Sequence, residues 1–128
     1  MAETKGPSNM ASQTLFEKYG GFSSVSRVVL DFYDRMLDSD EIGPFFDNTD
    51  MSKLMDHQTK FIASVLGGPS SYTDEQLKQL HTHLEIKDPH MDEMMSLLAG
   101  ALADHGFSEE DIEVVMNALE IRRGLIVG

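Results

Sequence analysis

From Thr14 onward, apolar residues recur at helical spacing, and Gly and Pro mark the breaks between periodic stretches. Val25, Val28, Val29, Phe32 and Met36 fall at i, i+3, i+4, i+7 and i+11, which predicts a helix from Ser23 or Ser24 to about Leu37 with Tyr33 at the edge of its apolar face. Leu54, Phe61, Ile62 and Val65 form the stripe of a second helix, capped by Thr49 or Asp50 and ended by Gly67, Gly68 and Pro69, with Gln58 inside the stripe. Thr73 and Gln76 have capping-box spacing, which predicts a short helix from about Asp74 to Leu84 that turns Leu77, Leu80 and Leu84 inward and carries His81. Asp88 then reads as N-cap and Pro89 as the first residue of a helix whose buried face is Met91, Met94, Met95, Leu98 and Leu102 and which runs to Gly106. Ser108 with Asp111 opens the last helix, whose inner face is Ile112, Val115, Met116 and Leu119. Strand-like alternation is absent, so the expected fold class is all-α. Residues 1–12 are small and polar and are expected to form a flexible tail ahead of one domain over 13–128.

Composition narrows the function classes. The chain has 128 residues, 41% of them hydrophobic, which fits a single globular domain. Ten Lys and Arg against 22 Asp and Glu leave a formal charge of −12, a surface that a nucleic acid or an anionic bilayer repels, so neither is an expected partner. Cysteine is absent, which removes disulfides, thiolate metal sites, a thiol nucleophile and a CxxCH haem attachment together. The first 20 residues hold neither a signal-like apolar run nor a membrane span, and the expected location is cytoplasmic.

Several tempting motifs fail on chemistry. Asp38, Asp40 and Gly43 mimic the start of a calcium loop, yet Ile42 and Thr49 stand where an oxygen ligand and a bidentate Glu are needed. The Gly20-Gly21 and Gly67-Gly68 pairs lack the following Lys-Ser/Thr of a phosphate loop and read as sharp reversals needing positive φ. His81 and His83 lie about 200° apart on a helix and cannot share a metal, and no HExxH pattern occurs, so a zinc site is not expected. His81 sits among Leu77, Leu80 and Leu84, and its imidazole is read either as a core histidine bonded to a carbonyl or as a ligand.

The polar interruptions of the apolar stripes point one way. Leu54, His57 and Gln58 share one helical turn, and a buried unpaired amide costs on the order of 1–3 kcal/mol, so Gln58 either faces solvent or meets a polar guest. The Tyr33 hydroxyl poses the same question. Three helices each offering one polar group to an apolar interior imply a flat or small ligand with an electron-rich atom and a Lewis-acid centre for His81, a description that haem iron with a diatomic ligand meets.

These residues carry a family resemblance. LFEKYGG (15–21), DFYDRML (31–37), GPFFDNTDM (43–51), HQTKFIASVLGGP (57–69) and YTDEQLKQLHTHL (72–84), in this order and spacing, resemble the segments of group I truncated haemoglobins. The resemblance runs from Thr14 to about Ile126 and implies a globin-like two-over-two helical sandwich with a reduced first helix and a mostly irregular segment before the proximal His. It implies haem b with His81 as proximal iron ligand, Tyr33 as donor to bound O2, and Gln58 supporting Tyr33. Phe46 takes the place of the aromatic that packs on the porphyrin and Leu54 that of the distal gate, while Met51, Leu77 and Leu98 join the cofactor contacts. Lys53 and Tyr72 stand at propionate positions, and Leu84 occupies a place where some members have Arg. A gas tunnel would involve Val29, Phe61, Ile62 and residues of the last two helices, with Ile62 where some members have Phe. Met91, Met94 and Met95 either touch the porphyrin or fill the core.

His57 stands where some relatives have a distal iron ligand and many others a solvent-facing residue, and helix geometry leaves both open. Residues 112–128 contain no His to bond a haem vinyl, so the haem is expected to be non-covalent. The resemblance therefore implies a protein that reversibly binds O2, NO and CO. Nitric oxide dioxygenation with an external electron-donating reductase, or a peroxidase-like side reaction, is the enzymatic extension. A bis-histidyl redox or sensor protein using His57 and His81 is the alternative, and a haem-free helical interaction module the third reading.

Overall fold

The computed structural model describes residues 14–68 and 86–127, among which every regular element is helical. The chain enters through α1 (Leu15–Lys18), a single turn held by a capping box: the Thr14 Oγ1 accepts from the Glu17 N–H at 3.1 Å, and the Glu17 Oε1 accepts from the Thr14 N–H at 3.1 Å. Apolar periodicity cannot mark so short an element, and the Thr-x-x-Glu spacing is its one sequence signal.

Helix α2 (Phe22–Asp38) is entered through Gly21, the N-cap, whose φ of +76° favours a residue without a Cβ; its first residue, Phe22, lies one position ahead of the expected Ser23. Val25, Val28, Val29, Phe32 and Met36 are buried as their spacing predicts, and Tyr33 joins them at 4% exposure. After α2 the Ser39 carbonyl accepts from the Gly43 N–H at 2.8 Å and its hydroxyl from the Ile42 N–H at 3.2 Å, a turn that buries Ile42. A 3-10 turn over Gly43–Phe46 follows, with Pro44 in its first turn and Phe46 directed inward.

Helix α3 (Met51–Val65) is capped by the Asp50 carboxylate, which accepts from the Lys53 N–H at 3.2 Å, so of the two expected caps Asp50 serves. It buries Gln58, Phe61, Ile62 and Ala63, while Leu54 and Val65 stay half-buried. At its end the Gly68 N–H donates to the Ala63 carbonyl at 2.8 Å, and a Cβ on Gly68 would lie 2.8 Å from the Phe16 ring. The Phe16 N–H donates to the Leu66 carbonyl at 3.0 Å, so the second glycine pair is the seat of α1 as well as the stop of α3.

Helix α4 (Asp88–Asp104) corrects the expected cap by one residue: Lys87 is the N-cap, and Asp88 and Pro89 are the first two helical residues, where the missing proline N–H costs nothing. The His90 Nδ1 accepts from the Lys87 N–H at 3.1 Å, a capping role that Asp88 was expected to fill. Helix α5 (Glu109–Ile121) starts as expected, the Ser108 Oγ accepting from the Asp111 N–H at 3.2 Å, and Glu109, Glu110 and Asp111 complement the helix dipole. Val115 and Leu119 are buried, Ile112 and Met116 partly so. A terminal turn, α6 (Arg123–Ile126), carries the buried Ile126.

Helix α2 packs against both α3 and α4, α4 pairs with α5, and α3 meets α5, so two helix pairs lie face to face in the expected two-over-two sandwich. The expected helix from Asp74 to Leu84, with its capping box at Thr73 and Gln76, lies outside the described residues. Polar pairs hold the rim. Arg35 forks onto Asp31 at 3.0 and 3.1 Å, bonds Asp104 across the bundle, and its guanidinium passes so close to Gly100 that a Cβ there would clash. Asp111 receives the Lys18 Nζ at 2.7 Å and the Tyr19 hydroxyl at 2.5 Å, while the Tyr19 ring stacks on Phe107 at 3.7 Å.

Candidate functional site

The apolar faces of α2, α3, α4 and α5 do not close on one another completely. Between them lies a cleft that encloses about 80 Å³, within some 620 Å³ of space that includes open solvent. Phe32, Tyr33 and Met36 from α2, Phe46 from the 3-10 turn, and Leu54, Gln58, Phe61 and Ile62 from α3 line one side. Ile86, the methionines Met91, Met94 and Met95 with Leu98 of α4, and Leu119 and Ile126 line the other.

Two polar groups stand out in this lining. Tyr33 is 4% exposed and Gln58 9%, and among the described residues neither the hydroxyl nor the amide has a hydrogen-bond partner. Each is costly to bury alone, by about 1–3 kcal/mol, and the apolar residues of both neighbouring helices supply nothing to receive them. Burial pushes the Tyr33 hydroxyl well above the ordinary phenol range, so it stays a neutral O–H able to donate. Its ring is fixed edge-on to Phe46 with centroids 5.5 Å apart, and Phe32 flanks it at 5.5 Å. A rigid phenol and an amide aimed into an apolar cleft can orient a small guest that accepts hydrogen bonds, and the aromatic and thioether walls suit a flat hydrophobic ring system around it.

The sequence-derived site residues distribute unevenly. Tyr33, Gln58, Phe46, Leu54 and Leu98 come together in the cleft. Met51 is half-buried against the core and Lys53 is exposed, and neither is among the lining residues. His57 is half-buried on α3, one residue from Gln58, and is likewise not among the lining residues. Phe61 and Ile62 of the expected tunnel line the cleft, whereas Val29 is fully buried in the core beside it. All three methionines of α4 face the cleft. His81, Tyr72 and Leu77, with Leu80, His83 and Leu84, lie outside the described residues.

Sequence reasoning missed Ile86 and Ile126. Ile86 precedes α4 outside any periodic stretch, and Ile126 sits in an apolar terminal run, Leu125 to Val127, which was its one signal. Among the described residues no group of three His, Cys, Asp or Glu side chains could hold a metal ion. No described helix is long and apolar enough to cross a membrane.

The chain matches the family model described as bacterial-like globin over residues 14–126. A group 1 truncated hemoglobin of Tetrahymena pyriformis is 30% identical over 116 residues, covering 91% of this chain and 96% of that protein. The crystal structure of the truncated hemoglobin of T. pyriformis in its Fe(III) form superposes with a TM-score of 0.82 at 30% identity, covering 91% of this chain and 99% of that one. A 2/2 hemoglobin from a Synechococcus species, solved in the cyanomet state with covalently attached heme, superposes with a TM-score of 0.78 at 26% identity, over 89% of this chain and 98% of that one.

Proposed function

Because the chain belongs to the bacterial-like globin family as a group 1 truncated haemoglobin, we propose that it holds haem b in the cleft between α2, α3 and α4 and reversibly binds diatomic gases there, O2, NO and CO among them. The observation that carries this reading is the pair of buried, partnerless polar groups, Tyr33 and Gln58, in an otherwise apolar cleft between the helices. Haem would supply an iron centre able to take the gas. His81 is the residue proposed to hold that iron, with its second ring nitrogen bonded to a carbonyl or carboxylate.

The chain's own residues do the rest. Tyr33 donates its hydroxyl hydrogen to the bound gas, and Gln58 adds a second donor beside it. Phe46 and the α4 methionines exclude water from the flat faces of the ring system, which keeps those hydrogen bonds strong. Met51, Lys53, Tyr72 and Leu77 are proposed cofactor contacts at the rim, and attachment is non-covalent, since no His occurs in 112–128. Two hydrogen bonds to a guest with partial negative charge contribute roughly 1.5–3 kcal/mol each and slow its release by tenfold or more per bond. Slow release suits chemistry better than delivery. The proposed use is conversion of NO and O2 to nitrate, with a separate reductase returning one electron per cycle.

Titration of the purified chain with hemin tests the reading. An intense Soret band that saturates at one equivalent, is lost in His81→Ala, and extracts into acidic ketone supports it. A colourless chain, or a His81 variant with unchanged bands, overturns it. Low-spin spectra of the unliganded ferric and ferrous protein that become high-spin in His57→Ala would replace simple gas binding by the bis-histidyl reading, in which a gas competes with His57.

A further inference from the structure

The densest polar cluster among the described residues lies at the C-terminal end of the cleft. Arg123 directs its Nε to the Glu120 Oε2 at 2.5 Å and its Nη2 to the Glu120 Oε1 at 3.0 Å and the Asp92 Oδ1 at 2.6 Å. Its Nη1 reaches the Asp88 Oδ1 at 3.0 Å and the Asp88 carbonyl at 3.5 Å, so each nitrogen of the guanidinium has an acceptor. The three carboxylates are half or more exposed, while Arg123 itself is 22% exposed. The cluster is thus a surface feature with its cation sunk into it.

What it fastens is the wall of the cleft. Asp88 and Asp92 belong to α4, Glu120 to α5, and Arg123 is the first residue of α6. Three residues further on, Ile126 lines the cleft, as do Leu119, beside Glu120, and Met95 on the α4 side. The Arg123 Nη2 lies 4.0 Å from the Met95 Sδ, so one side chain separates the guanidinium from the cleft. No other ion pair among the described residues joins α6 to α4. A four-residue turn has little helical stability of its own, so its position depends on these contacts and on Ile126.

We propose that Arg123 is a positioning residue that latches α6 against α4 and thereby gates a route by which apolar gases enter the cleft past Met95 and Ile126. An isolated surface pair would be too weak for this, but one planar guanidinium satisfied by three carboxylates is a fixed network. Removing the cation does more than delete bonds. It leaves Asp88 and Asp92 facing Glu120 with no positive charge between them, and their repulsion pushes the end of α5, which α6 directly continues through Arg122, away from α4. The proposal rests on the cleft, and on the functional reading only for the identity of the gas.

A gate alters the rate of passage and leaves the equilibrium alone. Saturation-transfer 129Xe NMR on the full-length protein as purified measures both the exchange rate and the affinity of xenon for the cleft. For Arg123→Met the exchange rate is expected to rise at least threefold with the xenon Kd within twofold of the parent, and Arg123→Lys, which keeps the charge but not the fork, falls between. An unchanged exchange rate overturns the proposal. So does a faster rate accompanied by a shifted Kd, which would mean that Arg123 shapes the cleft and does not gate it. If Arg123→Met does not fold, the Asp92→Asn, Glu120→Gln double variant, which keeps the cation and removes two of its anchors, is read by the same two quantities. Failure of the functional reading shows separately, as absence of a Soret band with hemin.

Discussion

Tyr33→Phe separates a binding role from a structural one, because the two predict opposite signs in different measurements. The substitution removes one oxygen from a residue that is 4% exposed and has no hydrogen-bond partner among the described residues, while the ring that packs on Phe46 stays. In the protein without a gas ligand, the lost hydroxyl was a desolvated group with nothing to receive it, so its deletion costs no stability and is expected to raise the unfolding free energy by up to about 1–3 kcal/mol. In the gas-bound protein the same oxygen donates to a partly anionic guest, a bond of about 1.5–3 kcal/mol, and at 1.4 kcal/mol per decade its loss speeds O2 release by about 10- to 150-fold. Thermal denaturation of the unliganded form and stopped-flow displacement of O2 by CO read the two quantities. An O2 release rate within twofold of the parent removes Tyr33 from the site. A destabilised unliganded form would show that the hydroxyl has a structural partner and that the orphaned-donor argument fails.

Two further outcomes test the scaffold. Lys18 and Tyr19, through their hydrogen bonds, hold the Asp111 carboxyl below the ordinary carboxylate range, so Asp111 adds stability that is complete above its unfolded pKa of about 3.9 and is lost as the pH falls through its lower folded value. Asp111→Asn should therefore lower Tm at neutral pH, with the gap to the parent closing only in acid; a gap independent of pH down to about 2 contradicts that linkage. Gly68→Ala places a methyl 2.8 Å from the Phe16 ring and 3.0 Å from the Ala63 carbonyl, and denaturant unfolding should show a loss of about 1–3 kcal/mol. An unchanged midpoint would mean that α1 shifts freely on its seat.

The long helices were legible because each has one face to bury. Val25, Val28, Val29, Phe32 and Met36 mark α2, and Phe61 and Ile62 mark α3, with a period that survives any detail of packing. Tyr33 and Gln58 were legible for a related reason, since a polar group within or beside an apolar stripe has to be explained, and both are buried in the cleft. What periodicity could not reach was anything decided between elements. The single turn α1 and the 3-10 turn at Gly43–Phe46 are shorter than one repeat of the pattern. Ile86 and Ile126 become cleft walls only because α4 and α6 bring their flanks together. Lys53 and Met51 occupy the right helix for rim contacts, yet Lys53 is exposed, Met51 packs against the core, and neither lines the cleft. Asp88 and Lys87 differ as caps by one residue, a margin set by the backbone at Lys87, which is extended at φ −106° and ψ 168°.

The seat of α1 bears on the order in which the molecule assembles. One helical turn cannot nucleate in water, so Leu15 to Lys18 must wait for the surfaces that receive it. One receiver is the Leu66 carbonyl at the close of α3; the other is the bend between α4 and α5, where Ser108 donates to the Tyr19 oxygen at 3.2 Å. Those surfaces belong to opposite layers of the sandwich. The amino-terminal turn therefore behaves as a keystone, set in place only after both arches stand, and its backbone amides are expected to gain shelter after those of the long helices during refolding.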